Sequence, residues 1–296
     1  MKVSFFCIGI GHGASADAIR EIAVNAERLG FSGIWAPEHV VLFDHQSSRY
    51  PYEPDGQLPL PKDIDFNDPF IGLTYAAAVT SRIRLATGIC LVPERNPIFL
   101  AKEVATLDRL SGGRVALGIG VGWSAEEFSA AGVPFERRAR RTHEYIEVMR
   151  RLWSEDKASY GGEFVKFENV RSFPKPVCGP KVPVLVGGES DAALKRAASY
   201  GTGWFGLGLT PEEVGVKVKQ LHQFARASNR NPEELEIIIG PYNKPTTPNE
   251  LKHFRAAGVQ EFALTVGFEV PERPSAIRAW MEKLAREWVE PASKLV

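Results

Sequence analysis

The chain has 296 residues, 44% hydrophobic and 24% charged, with Lys plus Arg equal to Asp plus Glu at 36 each. Zero net charge removes the field that would draw it to nucleic acid or an anionic membrane, and no apolar run reaches the roughly 18 residues of a membrane helix. These bounds point to a soluble protein acting on a small molecule.

The N-terminal "MKVSFFCIGIGHG" has one Lys and no small-residue cleavage site, so it reads as a first strand and not as a signal peptide. Cys7, Cys90 and Cys178 have neither metal-site spacing nor the number for a disulfide framework. A reducing cytoplasm is the expected compartment.

Eight short apolar runs follow one another, beginning at Val3, Ser32, Ile83, Arg114, Pro183, Gly203, Glu236 and Glu261. Between and after them, helical spacing covers Asp17–Leu29, Pro69–Thr80, Pro97–Leu110, Ala125–Ser154, Ala192–Tyr200, Pro211–Ser228, Pro248–Ala257 and Pro274–Trp288. The strands are apolar almost throughout, as parallel strands covered on both faces must be. Alternation of this kind predicts a (β/α)₈ TIM barrel formed as one domain over 1–296. A doubly wound open sheet gives the same count and stays open at this point.

Two connections exceed ordinary loop length, giving insertions after strand 2, from Val40 to Asn67, and before strand 5, from Glu155 to Pro180. The second contains a hairpin pattern at Gly161 and Gly162. Several strands end in Gly, which allows tight turns and close approach of a ligand to backbone at the active face of a barrel.

The run "IWAPEHVVLF" places Glu38 and His39 just past strand 2. An imidazole there can carry protons near neutral pH, and its neighbouring carboxylate can bind a cofactor or tune the ring. In "LGIGVGW" the glycines do not follow the dinucleotide-binding spacing, but the amides of Val121 to Ser124 can form an anion nest ahead of a helix. "VGGESDAALKRAA" offers a second phosphate-type loop at Gly187 and Gly188, capped by Ser190 or Asp191. The run "RRARR" from Arg137 cannot face one ligand as a whole, so most of it is expected in solvent or paired with Glu144 and Glu147. No zinc-protease, serine-hydrolase or P-loop motif is present.

The segments "AERLGFSGIWAPEHV", "SRIRLATGICLVPERNPIFLAKEVATLDRLSGGRVALGIGVGWSAEEF", "GVPFERRARRTHEYIEVMRRLW" and "PKPVCGPKVPVLVGGESDAALKRAASYGTGWF" resemble the bacterial luciferase-like superfamily. Within it the chain is most similar to the subgroup assigned to coenzyme F420. The resemblance implies a dimeric barrel whose cofactor ring lies across the strand ends. By the same resemblance, Glu38 and His39 are the acidic-His pair beside the ring. Gly88 and Ile89 match a bulge that often carries a non-proline cis peptide, while Val121 and Gly122 match one phosphate loop and Gly187 and Gly188 the other.

Two positions depart from F420-dependent sugar-phosphate dehydrogenases: Trp123 stands where they carry a catalytic Glu, and Phe43 where they carry a Trp. The resulting expectation is hydride transfer between F420 and a small organic substrate, with His39 as the proton carrier. Phe43, Tyr50, Tyr52 and Trp123 are the expected pocket walls. The alternatives are an FMN-dependent monooxygenase supplied by a flavin reductase, and a barrel that binds flavin without catalysis.

Overall fold

The computed structural model describes residues 1–266 and 270–295. Its strands are β1 Lys2–Phe6, β2 Gly33–Ala36, β3 Arg84–Thr87, β4 Cys90–Leu91, β5 Val115–Gly120, β6 Ala158–Gly161, β7 Lys166–Val170, β8 Val184–Gly187, β9 Gly203–Leu207, β10 Glu236–Gly240 and β11 Glu261–Thr265. The order β3-β2-β1-β11-β10-β9-β8-β5 is parallel throughout, and pairing of Leu85 in β3 with Val115 in β5 closes the ring. The sheet is therefore a barrel of eight strands, which removes the open-sheet alternative. Strand β4 extends the β3 run along β5, and β6 and β7 form a separate antiparallel hairpin.

The barrel interior alternates large and small side chains. Phe6, Trp35, Phe205 and Ile238 interleave with Ala86, Ala116 and Ala263, all buried. Trp35 stacks on Phe205 at 4.9 Å and donates its indole N–H to Ser4 Oγ at 2.8 Å, so even its polar edge is satisfied. A larger apolar layer lies between the barrel and its helices.

The helices are α1 Ala16–Arg28, α2 Pro69–Ala78, α3 Pro97–Ser111, α4 Ala125–Ala130, α5 Arg138–Ser154, α6 Asp191–Tyr200, α7 Pro211–Ala227, α8 Leu251–Ala256, α9 Pro274–Leu284 and α10 Glu290–Ser293. Asp68, Asn96, Ser190 and Thr210 cap α2, α3, α6 and α7, with proline opening three of these four helices. These caps fix where the active-face loops end.

Two expected elements are divided. The helix expected over Ala125–Ser154 is α4 and α5, separated by a turn with Gly132 at φ 70° and Arg137 at φ 61°. Pro134 within that turn has no N–H to continue the helix. The run from Ile83 is divided between β3 and β4 at Gly88–Ile89, whose peptide bond is cis.

Candidate functional site

A cavity of about 520 Å³ opens at the C-terminal ends of the strands. Its wall brings together Glu38, His39, Gly88, Ile89, Val121, Gly122, Gly187, Gly188, Tyr50, Tyr52 and Trp123. Phe43 is not among the lining residues. The chain beyond His39 is held by Glu127 through the N–H groups of Val40 and Val41, and the aromatic edge beside the imidazole comes from Phe66, at 5.7 Å.

Strand β2 ends at Ala36, and Pro37 turns the chain so that Glu38 and His39 diverge. Glu38 is buried; it accepts from Leu91 N at 2.5 Å and from Arg95 Nε at 2.7 Å. Arg95 also reaches Asp68 Oδ2 at 2.5 Å and lies over the Phe70 ring at 5.0 Å. The carboxylate of Glu38 thus fastens the end of β2 to β4 and to the start of α2. This arrangement accounts for an acid at the end of an apolar strand: it is buried, but paired and hydrogen-bonded.

His39 faces the cavity. Its Nδ1 lies 2.9 Å from Glu127 Oε2, and the other oxygen of Glu127 accepts Val40 N–H at 2.6 Å. With Nδ1–H donated to the carboxylate, Nε2 is left to take a proton from a ligand or, when protonated, to give one. Trp123, at 6.0 Å, and Phe66 hold the ring edge-on.

Glu94, in the short turn after β4, has both carboxyl oxygens buried without a partner. One of them lies 3.3 Å from where a Cβ on Gly122 would stand. Burial, followed by the nearby Glu127 and Glu38, pushes its carboxyl up to about 8. Gly122 itself, at φ 76°, leaves no room for a side chain, because Phe128 would meet a Cβ at 2.5 Å. The loop between β5 and α4 is a tight turn over an acidic cluster, and its helix α4 is only six residues long.

At the end of the neighbouring strand β8, Gly188 is held by Trp204 Nε1–H donating to its carbonyl at 2.9 Å, and Ser190 caps α6. Arg196, one turn into α6, lines the cavity there. Arg138 donates to the Gly122 carbonyl at 3.0 Å and packs on Phe135 at 3.8 Å. Burial, and then the charge of Arg196, lowers the Arg138 pKa; burial likewise lowers that of Arg196. Neither makes an ion pair among the described residues, and the nearby Tyr200 hydroxyl is buried without a partner. Of the two glycine turns, the one at Gly187 and Gly188, with Arg196 in the cavity wall, is the one suited to an anion.

Of the rest of "RRARR", Arg137 and Arg140 are more than half exposed, as expected, and Arg141 is buried. Arg137 and Arg140 pair with Glu163, not with Glu144 or Glu147. Glu144 instead accepts the N–H groups of Phe164 and Val165, fixing the β6–β7 hairpin to α5. The hairpin expected at Gly161 and Gly162 is thus present as β6 and β7, while its tie to Glu144 is not legible from helix spacing within α5.

A third wall is aromatic. Tyr50 contacts Trp123 at 5.2 Å, Tyr52 at 5.5 Å and Tyr242 at 6.3 Å between ring centroids. Tyr52 donates to Glu189 at 3.4 Å, and Glu189 also accepts Leu207 N–H at 2.8 Å. Tyr242 donates to Glu53 at 2.9 Å. The segment from 40 to 67 is thereby joined to the loop after β10 across the mouth.

Glu127, Arg95, Arg196, Tyr242 and Phe66 were not identified from the sequence as site residues. The signal for Glu127 was present but pointed elsewhere. Ser124-x-x-Glu127 reads as a capping box, and Ser124 does accept Glu127 N–H at 3.2 Å. The carboxylate half of that box is diverted to His39.

The sequence pattern of the luciferase-like monooxygenase family matches residues 1–242. A Mycobacterium tuberculosis protein of uncharacterised function is 40% identical over 264 residues, 88% of this chain and 90% of its own. The FMNH(2)-dependent dimethylsulfone monooxygenase of Pseudomonas fluorescens is 32% identical over 171 residues, covering 56% of this chain and 46% of that one. Among solved structures, an F420-dependent secondary alcohol dehydrogenase in complex with an F420-acetone adduct superposes with a TM-score of 0.76 at 18% identity, over 98% of each chain. At that identity the superposition speaks for the fold.

Proposed function

Because the chain belongs to the luciferase-like monooxygenase family, we propose that it is an F420-dependent oxidoreductase of the cytoplasm that moves a hydride between the deazaflavin and a small organic substrate. The observation that carries this reading is His39, whose Nδ1 is engaged by Glu127 at 2.9 Å while its ring lines the cavity. The residues present fit such a cofactor. Arg196 and Ser190 line its anion end, Arg138 stands behind the Gly122 turn, and Gly88, Ile89, Gly187 and Gly188 form the floor for a planar ring.

When bound, F420 supplies a carbon that takes up or releases hydride. His39 then takes the substrate proton on Nε2 in the oxidative direction and returns it in the reductive one. Glu127 stabilises the imidazolium that forms and keeps Nε2 aimed into the cavity. The aromatic wall excludes water from the reacting face. Glu38 acts at one remove, fixing the backbone that presents His39.

Arg138 and Arg196, with no acidic partner among the described residues, support a ligand richer in negative charge than a neutral substrate, as the glutamate tail of F420 is. Similarity to the dimethylsulfone monooxygenase favours a second reading, oxygenation with reduced FMN from a separate reductase. Titrating the protein with oxidised and reduced F420 and FMN separates the two. Selective F420 binding at micromolar concentration, about −8 kcal/mol, supports the first reading. Selective binding of reduced FMN replaces it with the second.

A homodimer belongs to this proposal. Ile71 and Phe99 are strongly exposed on the first turns of α2 and α3, which Arg95 and Asp68 join. Light scattering of the protein and of Phe99→Glu is the check: a monomeric wild type removes the dimer from the reading.

A further inference from the structure

We propose that the substrate is an uncharged, largely apolar molecule with one oxygen function placed at His39, bound between the cofactor position and the aromatic wall of Tyr50, Tyr52, Tyr242 and Trp123. This inference deepens the functional reading above and rests on it for the location of the cofactor.

Charge around the cavity is already matched within the protein on its substrate side. On the side formed by the 40 to 67 segment, the carboxylates at the wall and the His39 imidazole are each engaged within the protein. Glu38 is held by Arg95, and His39 by Glu127. Glu189 is held by Leu207 N–H and the Tyr52 hydroxyl, and Glu53 by the Tyr242 hydroxyl. Burial raises the carboxyl of Glu189. Arg196, the cation in the cavity wall, stands beside Gly188 and Ser190, where the reading above assigns it to the anion end of the cofactor and not to the substrate. An anionic substrate against the tyrosines would be desolvated with no counterion, and its binding would be weak.

A cationic substrate is the more serious rival, because aromatic rings attract cations. The geometry disfavours it. Tyr50 meets Tyr52, Trp123 and Tyr242 edge-on, at interplanar angles of 64°, 65° and 68°. The rings thus pack on one another and do not splay around a hole of cation size. They present a continuous apolar surface, completed by Leu60 and Phe66. Nε2 of His39, in the cavity wall, is free to meet a substrate oxygen.

The test compares three probes of nearly equal shape: 4-tert-butylcyclohexanol, 4-tert-butylcyclohexanecarboxylate and 4-tert-butylcyclohexylammonium. All are transparent where tryptophan emits, so binding to the full-length protein is followed by its fluorescence and by calorimetry, with and without cofactor. The alcohol is expected to bind at least about tenfold more tightly than either ion. Tyr50→Ser should weaken the alcohol about tenfold, whereas Arg140→Ala, on an exposed side chain outside the cavity wall, should leave it unchanged. Tighter binding of the carboxylate or the ammonium overturns the proposal, and so does failure of the alcohol to saturate the protein. A chain that takes FMN and not F420 fails the cofactor reading alone, because the ranking of the three probes is measured independently of it.

Discussion

Glu127 grips the segment that carries His39 at two points: Oε2 lies 2.9 Å from the imidazole Nδ1, and Oε1 accepts the N–H of Val40 at 2.6 Å. Both the ring and the backbone that follows it are oriented by a single buried carboxylate, 88 residues away in sequence. Glu127→Gln keeps the shape but offers Nδ1–H a weaker, neutral acceptor. Turnover should fall by about 10- to 100-fold with cofactor affinity unchanged, and the pH–rate profile should shift with it. An unaltered profile would remove Glu127 from the proton path.

His39→Ala should lower turnover by roughly 10² to 10⁴ while the protein still binds its cofactor. Stopped-flow measurement of cofactor reduction, alongside the titration, separates loss of chemistry from loss of binding. Retained turnover would leave the site without its proton carrier.

Glu94 makes stability depend on pH. Its carboxyl is raised from 4.5 to about 8 in the fold, so the folded protein holds this proton more tightly than the unfolded chain. The resulting stability is complete below the unfolded value and is lost as pH rises toward about 8. Because the side chain is partly screened by solvent, the loss is about 1–2 kcal/mol. Glu94→Gln should abolish it. Urea unfolding of both proteins at about pH 5 and about pH 8 gives the comparison, and parallel curves would show that the carboxyl does not titrate in this range.

Arg95→Leu leaves Glu38 buried without its cation. The expected loss is about 2–4 kcal/mol, reduced from the cost at a fully enclosed pair by the partial exposure of Arg95. Arg95→Lys should recover part of it, since an ammonium cannot reproduce the two-nitrogen grip on Glu38 together with the contact to Asp68. Denaturant melts of the two variants measure both effects.

Gly120→Ala places a Cβ 2.3 Å from Ile89 Cδ1. Overpacking of this kind costs about 1–3 kcal/mol. Ile89→Ala in the same chain should restore most of the loss, and additivity of the two changes would show that they do not share the space.

Local pattern reached a long way into this protein. Near-continuous apolar runs separated by capped, proline-led helices determined the eight barrel strands, because burial on both faces of a parallel sheet leaves that signature within each segment. Glycines at strand ends and the pair Glu38 and His39 marked the mouth, since the end of a barrel strand is a position readable from the strand itself. The division of 125–154 into α4 and α5 could have been read from Gly132 and Pro134, but the strong amphipathic spacing on either side outweighed them.

What the chain in one dimension could not state is which groups meet. Glu127 sits in the first turn of α4, and only the fold places it against His39. Closure of the barrel sets Arg95 against Glu38 and Arg196 beside Gly188. The aromatic wall draws Tyr50 and Tyr242 together from opposite ends of the chain. Side-chain periodicity records only the face a residue presents to its own element. The partner on that face, and hence the charge balance that defines the site, is decided by closure of the barrel, which brings distant loops to one rim.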